Sequence, residues 1–248
     1  MKKLFSWTFI MSLTLLSASA IAYTIHYFIF KDAHHIFIYL VGDLGFLFLD
    51  VLLVILLLER LLNRRDKKAL LSKLNIVIGT FFSEVGLGLL KRFNVFVENW
   101  QELEKDCEIS PEWDKKDFKR AIEAVHEFPF AIDIRVEYLL ELREHLIAKR
   151  PCLMRMLENP NLFEHEQFTD LLWAIFHLTE ELSFRGDELD NLPETDYKHL
   201  SGDLKRAYSQ LTEQWLLYTL HLKGNYPFLF SLAARINPMN PAASPIVK

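Results

Sequence analysis

The chain has 248 residues, with 33 acidic side chains against 28 Lys and Arg, for a net charge of −5. That balance, with no basic tract beyond one short cluster after the second apolar segment, argues against nucleic-acid binding, which calls for a basic face. Hydrophobic residues make up 51% of the chain, yet mean hydropathy is only +0.10, so the apolar residues are concentrated rather than spread evenly. The two cysteines, Cys107 and Cys152, have no neighbour at metal-ligand spacing and are expected to be free thiols in a reducing cytoplasm.

Two long apolar segments come first. Residues 4–30 contain no Asp, Glu, Lys or Arg, and residues 36–58 (IFIYLVGDLGFLFLDVLLVILLL) are nearly as apolar. About 20 such residues suffice to cross a bilayer, and the short link Lys31-Asp32-Ala33-His34-His35 imposes an antiparallel hairpin. Lys2 and Lys3 precede the first segment, and Arg60, Arg64, Arg65, Lys67 and Lys68 follow the second. By the positive-inside rule both termini are cytoplasmic, and the same cluster is placed to contact anionic lipid headgroups. Trp7, Tyr23, Tyr27 and Tyr39 fall near the expected interfaces. Ala18-Ser19-Ala20 is a rival signal-peptidase site, but the apolar run continues about ten residues past it.

The second segment holds Asp43 and Asp50. Seven residues apart on a helix, they lie within about 20° of one face and about 10 Å apart along the axis. Charge at bilayer depth is costly and usually faces a protein interior or water. Gly42 and Gly45 flank Asp43 and permit close helix approach. Hydroxyls of the first segment, Ser12, Thr14, Ser17, Ser19 and Thr24, are candidate hydrogen-bond donors to the carboxyls. Two readings follow: protonated aspartates that bond across helices and fix an oligomer's register, or a ring of carboxylates forming a cation or proton pathway. No TVGYG-like filter is present.

After residue 58 the pattern is that of helices. Residues 74–90 (LNIVIGTFFSEVGLGLL) are apolar on almost every side and contain Glu84. Such a helix is buried or in the membrane. We expect the central helix of a bundle, with a third span as the alternative, and Glu84 as a buried or membrane-inserted acid. Ser110-Pro111-Glu112 reads as a helix start and Glu127-Phe128-Pro129 as its end. Asp133 is placed to cap a helix that stops before Pro151, with a short helix over residues 152–157. Residues 166–184 carry apolar side chains at three and four spacing up to Arg185-Gly186. A polar loop then leads to the longest soluble helix, about 199–222, with Gly224 as C-cap and one last short helix after it.

Glu123-Ala124-Val125-His126 is an E-x-x-H on a helix, the spacing used by di-iron bundles. A second copy is missing; Asp196-x-x-His199 is the nearest substitute, and Glu141 with His145 and His177 with Glu180 and Glu181 are further combinations. With nine histidines in the chain chance pairs are common, so Glu123 and His126 are weak metal candidates and no cofactor is expected. No P-loop, G-x-G-x-x-G, H-E-x-x-H or G-x-S-x-G occurs. Trp173, Phe176, Trp215, Tyr218 and Phe228 read as core, and Trp113 as docking its own helix.

Residues 69–90 (ALLSKLNIVIGTFFSEVGLGLL) and 221–238 (HLKGNYPFLFSLAARINP) resemble segments of a bacterial family of two-span membrane proteins. The resemblance implies one integrated domain and a bacterial inner membrane, and no catalytic residue. The expected protein is all-α: a transmembrane hairpin in 1–62, a cytoplasmic helical domain in 63–238 and a flexible tail in 239–248. We expect a membrane-anchored sensing or scaffolding module rather than an enzyme, with the lipid bilayer, further copies of itself and a cytoplasmic protein as partners. A cation or proton channel using Asp43 and Asp50 is the alternative, and a metal-dependent bundle enzyme a distant third.

Overall fold

The computed structural model describes the backbone of residues 2–160, 162 and 165–247; the side chains of residues 2–8, 58–73 and 187 lie outside the description. The described residues are overwhelmingly helical, and one isolated antiparallel bridge, Val97 with Ile132, is the sole strand-like pairing among them. The helices are α1 (Lys2–Phe30), α2 (Ala33–Phe81), α3 (Leu87–Phe93), α4 (Trp100–Cys107), α5 (Lys115–Glu127), α6 (Val136–Leu157), α7 (Glu166–Arg185), α8 (Glu194–Asn225) and α9 (Pro227–Arg235). The chain divides into two compact units, Met1–Lys67 and Lys68–Lys248.

In the first unit the break between α1 and α2 is two residues long. Lys31 takes φ 47, and Asp32 Oδ1 accepts hydrogen bonds from the backbone N–H groups of His34 (2.9 Å) and His35 (3.2 Å). A side-chain oxygen thus satisfies donors that a helix start leaves open. Phe9–Phe30 and Ala33–Leu57 are each long and apolar enough to cross a membrane, and none of their residues is buried. The hydroxyls of Thr14, Ser17 and Thr24 donate to the carbonyls of Ile10, Leu13 and Ala20, four residues back, so they serve their own helix and not the aspartates. The side chains of Trp7, Arg60, Arg64, Arg65, Lys67 and Lys68, named above as anchors, lie outside the described residues.

The second unit has the core. Residues 74–90 also qualify as a span by length and composition, but the fold buries one face of them. Leu74, Ile78, Phe81, Phe82, Val85, Leu89 and Leu90 follow one another at helical spacing and are all in the core. Midway, Phe82–Gly86 form one π turn, a wider winding that is frequent at functional positions. The helix that most others touch is α8, not this segment: α8 packs on α3, α5, α7 and α9. Its Trp215 and Tyr218 meet Phe82 with ring centroids 5.2 and 5.3 Å apart, and Phe81 meets Phe168 at 5.2 Å. Such pairs contribute about 0.5–1.5 kcal/mol each beyond their buried area.

Several boundaries differ from expectation. The cap of α5 is Asp114, which accepts from the backbone of Lys116 and Asp117 while Asp117 returns a bond to the Asp114 N–H. Ser110 instead bonds the Glu112 carboxylate. The helix expected to stop at Pro151 continues through it to Leu157, and it starts after Arg135 with no side-chain cap from Asp133. An internal proline costs about 3 kcal/mol, yet Leu139, Leu142, Leu146, Leu153 and Met156 form one buried stripe on both sides of it, so packing overrides the local preference. Likewise α8 starts earlier than expected and runs through Gly224 to Asn225. Trp173 and Phe228 are 54% and 72% exposed, not core. Trp113 does stack edge-on with Phe118 of α5 at 5.1 Å. The segment expected to be a flexible tail starts packed: Met239 is buried, and Asn240 donates to Glu108 at 2.7 Å.

Candidate functional site

Asp43 and Asp50 are both exposed on α2. Asp43 lines a cleft of about 390 Å³ with Tyr23, His26, His35 and Tyr39, in which the His26 and His35 rings stack with centroids 6.1 Å apart. Gly42 and Gly45 have no neighbouring atom within 4 Å of where a Cβ would stand, so that stretch of α2 offers a flat, unoccupied flank.

Glu84 is not shut inside the bundle. The π turn sends Val85 inward and leaves the Glu84 side chain 57% exposed, with Lys149 Nζ 3.6 Å away. It borders an open cleft of about 510 Å³ shared with Thr80, Lys149, Cys152 and Arg155. The other proposed metal residues do not converge. Glu123 pairs with Lys119 at 3.5 Å along α5, whereas His126 reaches Glu213 on α8 at 3.3 Å. On α6, burial holds the His145 imidazole below its ordinary range, and the cations Arg92 and Lys149 push the same way.

The densest charged constellation lies on the seam of α7 and α8. These helices are joined by the short turn Gly186–Asp190 and a few loop residues, which is how Arg185 at the end of α7 reaches the start of α8. Its guanidinium grips Asp196 with two bonds, of 2.8 and 2.7 Å, and Glu181 with a third, of 2.5 Å. These bonds hold both carboxyls below their usual range. One turn further along the seam, His177 Nε2 lies 3.3 Å from Asp203 Oδ2 and 3.8 Å from Glu181 Oε1. Opposite it, His199 Nε2 lies 3.3 Å from the same Asp203 oxygen and 3.5 Å from Glu181 Oε2. Two imidazoles and two carboxylates therefore alternate around a closed ring.

Each helix contributes a His and an acid four residues apart: His177 with Glu181, and His199 with Asp203. Residues four apart share a helix face. E-x-x-H spacing joins residues three apart, which pairs His199 with Asp196 and passes over Asp203. The available signal was H-x-x-x-E followed by H-x-x-x-D on consecutive helices with a tight connection.

A family model described as the C-terminal helical domain of Uncharacterized protein MJ1433 matches residues 70–235, and one for the N-terminal helical domain of MJ1433 matches residues 2–62. The chain belongs to the MJ1433 family. It is 41% identical, over 232 residues, to Uncharacterized protein MJ1433 of Methanocaldococcus jannaschii, covering 93% of this chain and 92% of that one. That relative is archaeal, whereas the sequence resemblance pointed to bacteria. No solved structure matches the chain. Both family descriptions name helical domains, in keeping with the all-α fold, and the seam residues His177, Glu181, His199 and Asp203 fall inside the C-terminal one.

Proposed function

We propose that this member of the MJ1433 family is a membrane-anchored sensing or scaffolding module, with a two-span hairpin and a helical domain on the cytoplasmic side. The observation that carries the reading is the surface of residues 9–57. Leu16, Val41 and Phe48 are 69, 70 and 73% exposed, and the stretches Phe9–Phe30 and Ala33–Leu57 contain no buried residue. In water that much contiguous apolar surface marks an interaction or membrane face; two helices of 22 and 25 residues match the thickness of hydrocarbon. The flanking cations favour cytoplasmic termini in a cytoplasmic membrane, with the Lys31–Asp32 turn outside.

Self-association follows from Asp43 and Asp50. Each costs about 2.5–3.5 kcal/mol when placed at a helix centre in lipid, and the helix in the same hairpin directs its hydroxyls to its own carbonyls. Apposing the α2 flanks of two or more protomers, where Gly42 and Gly45 allow close approach, removes both carboxyls from lipid. A second reading, a proton or cation pathway, is favoured by one observation: Asp43 shares its cleft with His26 and His35. Extraction with alkaline carbonate tests the anchoring; the protein stays with the membrane if the proposal holds, and is released if it does not. Mass measurement in nanodiscs, with Asp43→Asn/Asp50→Asn beside wild type, then separates the two readings. Assembly kept in both proteins, with no ion flux in wild type, supports the structural role, because the amide keeps the hydrogen bonding. Intact assembly with flux abolished only in the variant supports the pathway.

A further inference from the structure

We infer that the ring on the α7–α8 seam is a binding site for a divalent first-row metal ion, with Zn²⁺ the best fit. Its ligands are His177 Nε2, His199 Nε2 and Asp203 Oδ2. Ligand atoms of the three residues lie within 4.8 Å of one another, and each Nε2 is 3.3 Å from Asp203 Oδ2. Tetrahedral zinc with bonds of about 2.0–2.1 Å to His and about 2.0–2.2 Å to a carboxylate has ligand–ligand edges of about 3.3–3.5 Å. The two nitrogen–oxygen separations are therefore those of neighbouring vertices. Neither imidazole nitrogen makes a hydrogen bond to Oδ2 across that distance.

The second observation is Asp203 itself. Its side chain is only 4% exposed, and Oδ2 receives no hydrogen bond. Buried carboxylate oxygens are nearly always satisfied, and a charge kept from water needs a partner. Arg206 approaches the other oxygen, Oδ1, at 3.3 Å. Oδ2 is equally distant from the two imidazole nitrogens, and a cation bonded to all three would satisfy the acid. Imidazole and carboxylate are donors suited to zinc and its neighbours in the first transition series. Glu181, fixed by Arg185, stands beside both histidines as a further oxygen donor or as the acceptor for a metal-bound water.

The geometry also says what kind of site this is. The acid is at the bottom, and the histidine side chains are 46 and 52% exposed at the mouth. Metal sites that are purely structural are closed by four protein ligands, while sites with three keep a position open. This one is open to solvent and exchangeable, and it spans two helices, so occupancy ties α7 to α8.

The test uses full-length protein in detergent, stripped with a chelator and dialysed against Zn²⁺ alone, with Co²⁺ as a visible-absorption probe. Wild type is expected to bind one equivalent, to give the intense visible bands of four-coordinate cobalt, and to melt at a higher temperature with Zn²⁺ than without. His199→Gln, at an exposed position, and Asp203→Asn, which keeps the side-chain shape, are each expected to weaken binding at least about 100-fold, more than the loss of a group outside the ligand set. His126→Gln, a histidine elsewhere on the surface, is expected to bind like wild type. Circular dichroism of each metal-free variant checks that it is folded. Wild type that binds no more Zn²⁺ than folded His199→Gln overturns the inference, as does a His126→Gln loss equal to that of His199→Gln.

Discussion

Asn237 closes the C-terminal end of the domain onto its core, and removing its side chain has a calculable effect. The residue is 1% exposed. Its Oδ1 accepts from Trp215 Nε1 at 3.1 Å and from the Met239 N–H at 3.3 Å, and its Nδ2 donates to the Cys107 carbonyl at 3.0 Å. Beside it Asn94 repeats the pattern, accepting from Tyr208 at 2.7 Å and donating to the Pro238 carbonyl at 3.0 Å. Asn237→Ala takes the partner from three groups, the indole N–H, the Met239 N–H and the Cys107 carbonyl. An orphaned buried group costs about 1–3 kcal/mol, so the three together cost about 3 kcal/mol at the low end of that range. For a domain of this size 1 kcal/mol shifts Tm by about 2–4 °C, which gives a fall of about 6–12 °C. The matched control is Asn240→Ala, whose bond to Glu108 lies at the surface and whose loss falls within about 0.5 kcal/mol. Thermal melts in detergent, followed by circular dichroism at 222 nm, compare the two. An Asn237→Ala melt within 2 °C of the Asn240→Ala melt would refute the reasoning, because it would mean that residues 237–239 are not docked.

Two neighbouring glycines are predicted to respond oppositely to alanine. A Cβ on Gly86 would stand 2.6 Å from the Phe82 ring and 3.0 Å from the Phe81 ring, both fully buried, so Gly86→Ala destabilises by about 1–3 kcal/mol. On Gly88 it would meet Arg92 and His145 at an ordinary 3.6 Å, and Gly88→Ala stabilises by about 0.5–1 kcal/mol; denaturant midpoints check both signs. Burial holds His145, His165 and His221 below the ordinary imidazole range, so the unfolded chain takes up more protons than the fold between the folded values and about 6.5. Stability is present above that unfolded value and is lost as pH falls from it toward the folded ones. Between pH 7.5 and 5.5 the wild-type Tm should therefore fall more steeply than that of His145→Gln; parallel curves would contradict the assignment. Burial also pushes the Cys107 thiol up to about 12, so under native conditions a maleimide should label half-buried Cys152 well before it, which peptide mapping would show.

Helix content was legible because its signals are local. The three-and-four spacing of residues 166–184 needs no partner to be seen, and Phe128 ends α5 where Phe-Pro said it would. The misreadings occur where a distant contact outweighs a local rule. Pro151 looked like a helix end because its ring forfeits a hydrogen bond, but Leu146 and Leu153 are gripped on either side of it. Ser110-Pro111-Glu112 has the composition of a helix start, yet the N-cap is Asp114, in a reciprocal cap with Asp117. Met239 looked like tail because proline surrounds it, and only the Asn94 and Asn237 bonds reveal that the chain folds back. The seam site was half legible: each His–acid pair stands in the sequence, but their meeting depends on how α7 and α8 are paired across the turn.

The most direct test of the proposed role is the sidedness of the two ends of the chain. In a Cys152→Ser background, leaving only buried Cys107, single cysteines replace Ala33 at the turn and Val247, which is 76% exposed. Intact cells are then treated with a membrane-impermeant maleimide. Labelling of Ala33→Cys alone, with Val247→Cys labelled only after permeabilisation, is the predicted result. Labelling of Val247→Cys in intact cells, or of neither site until permeabilisation, would contradict a two-span anchor with its helical domain in the cytoplasm.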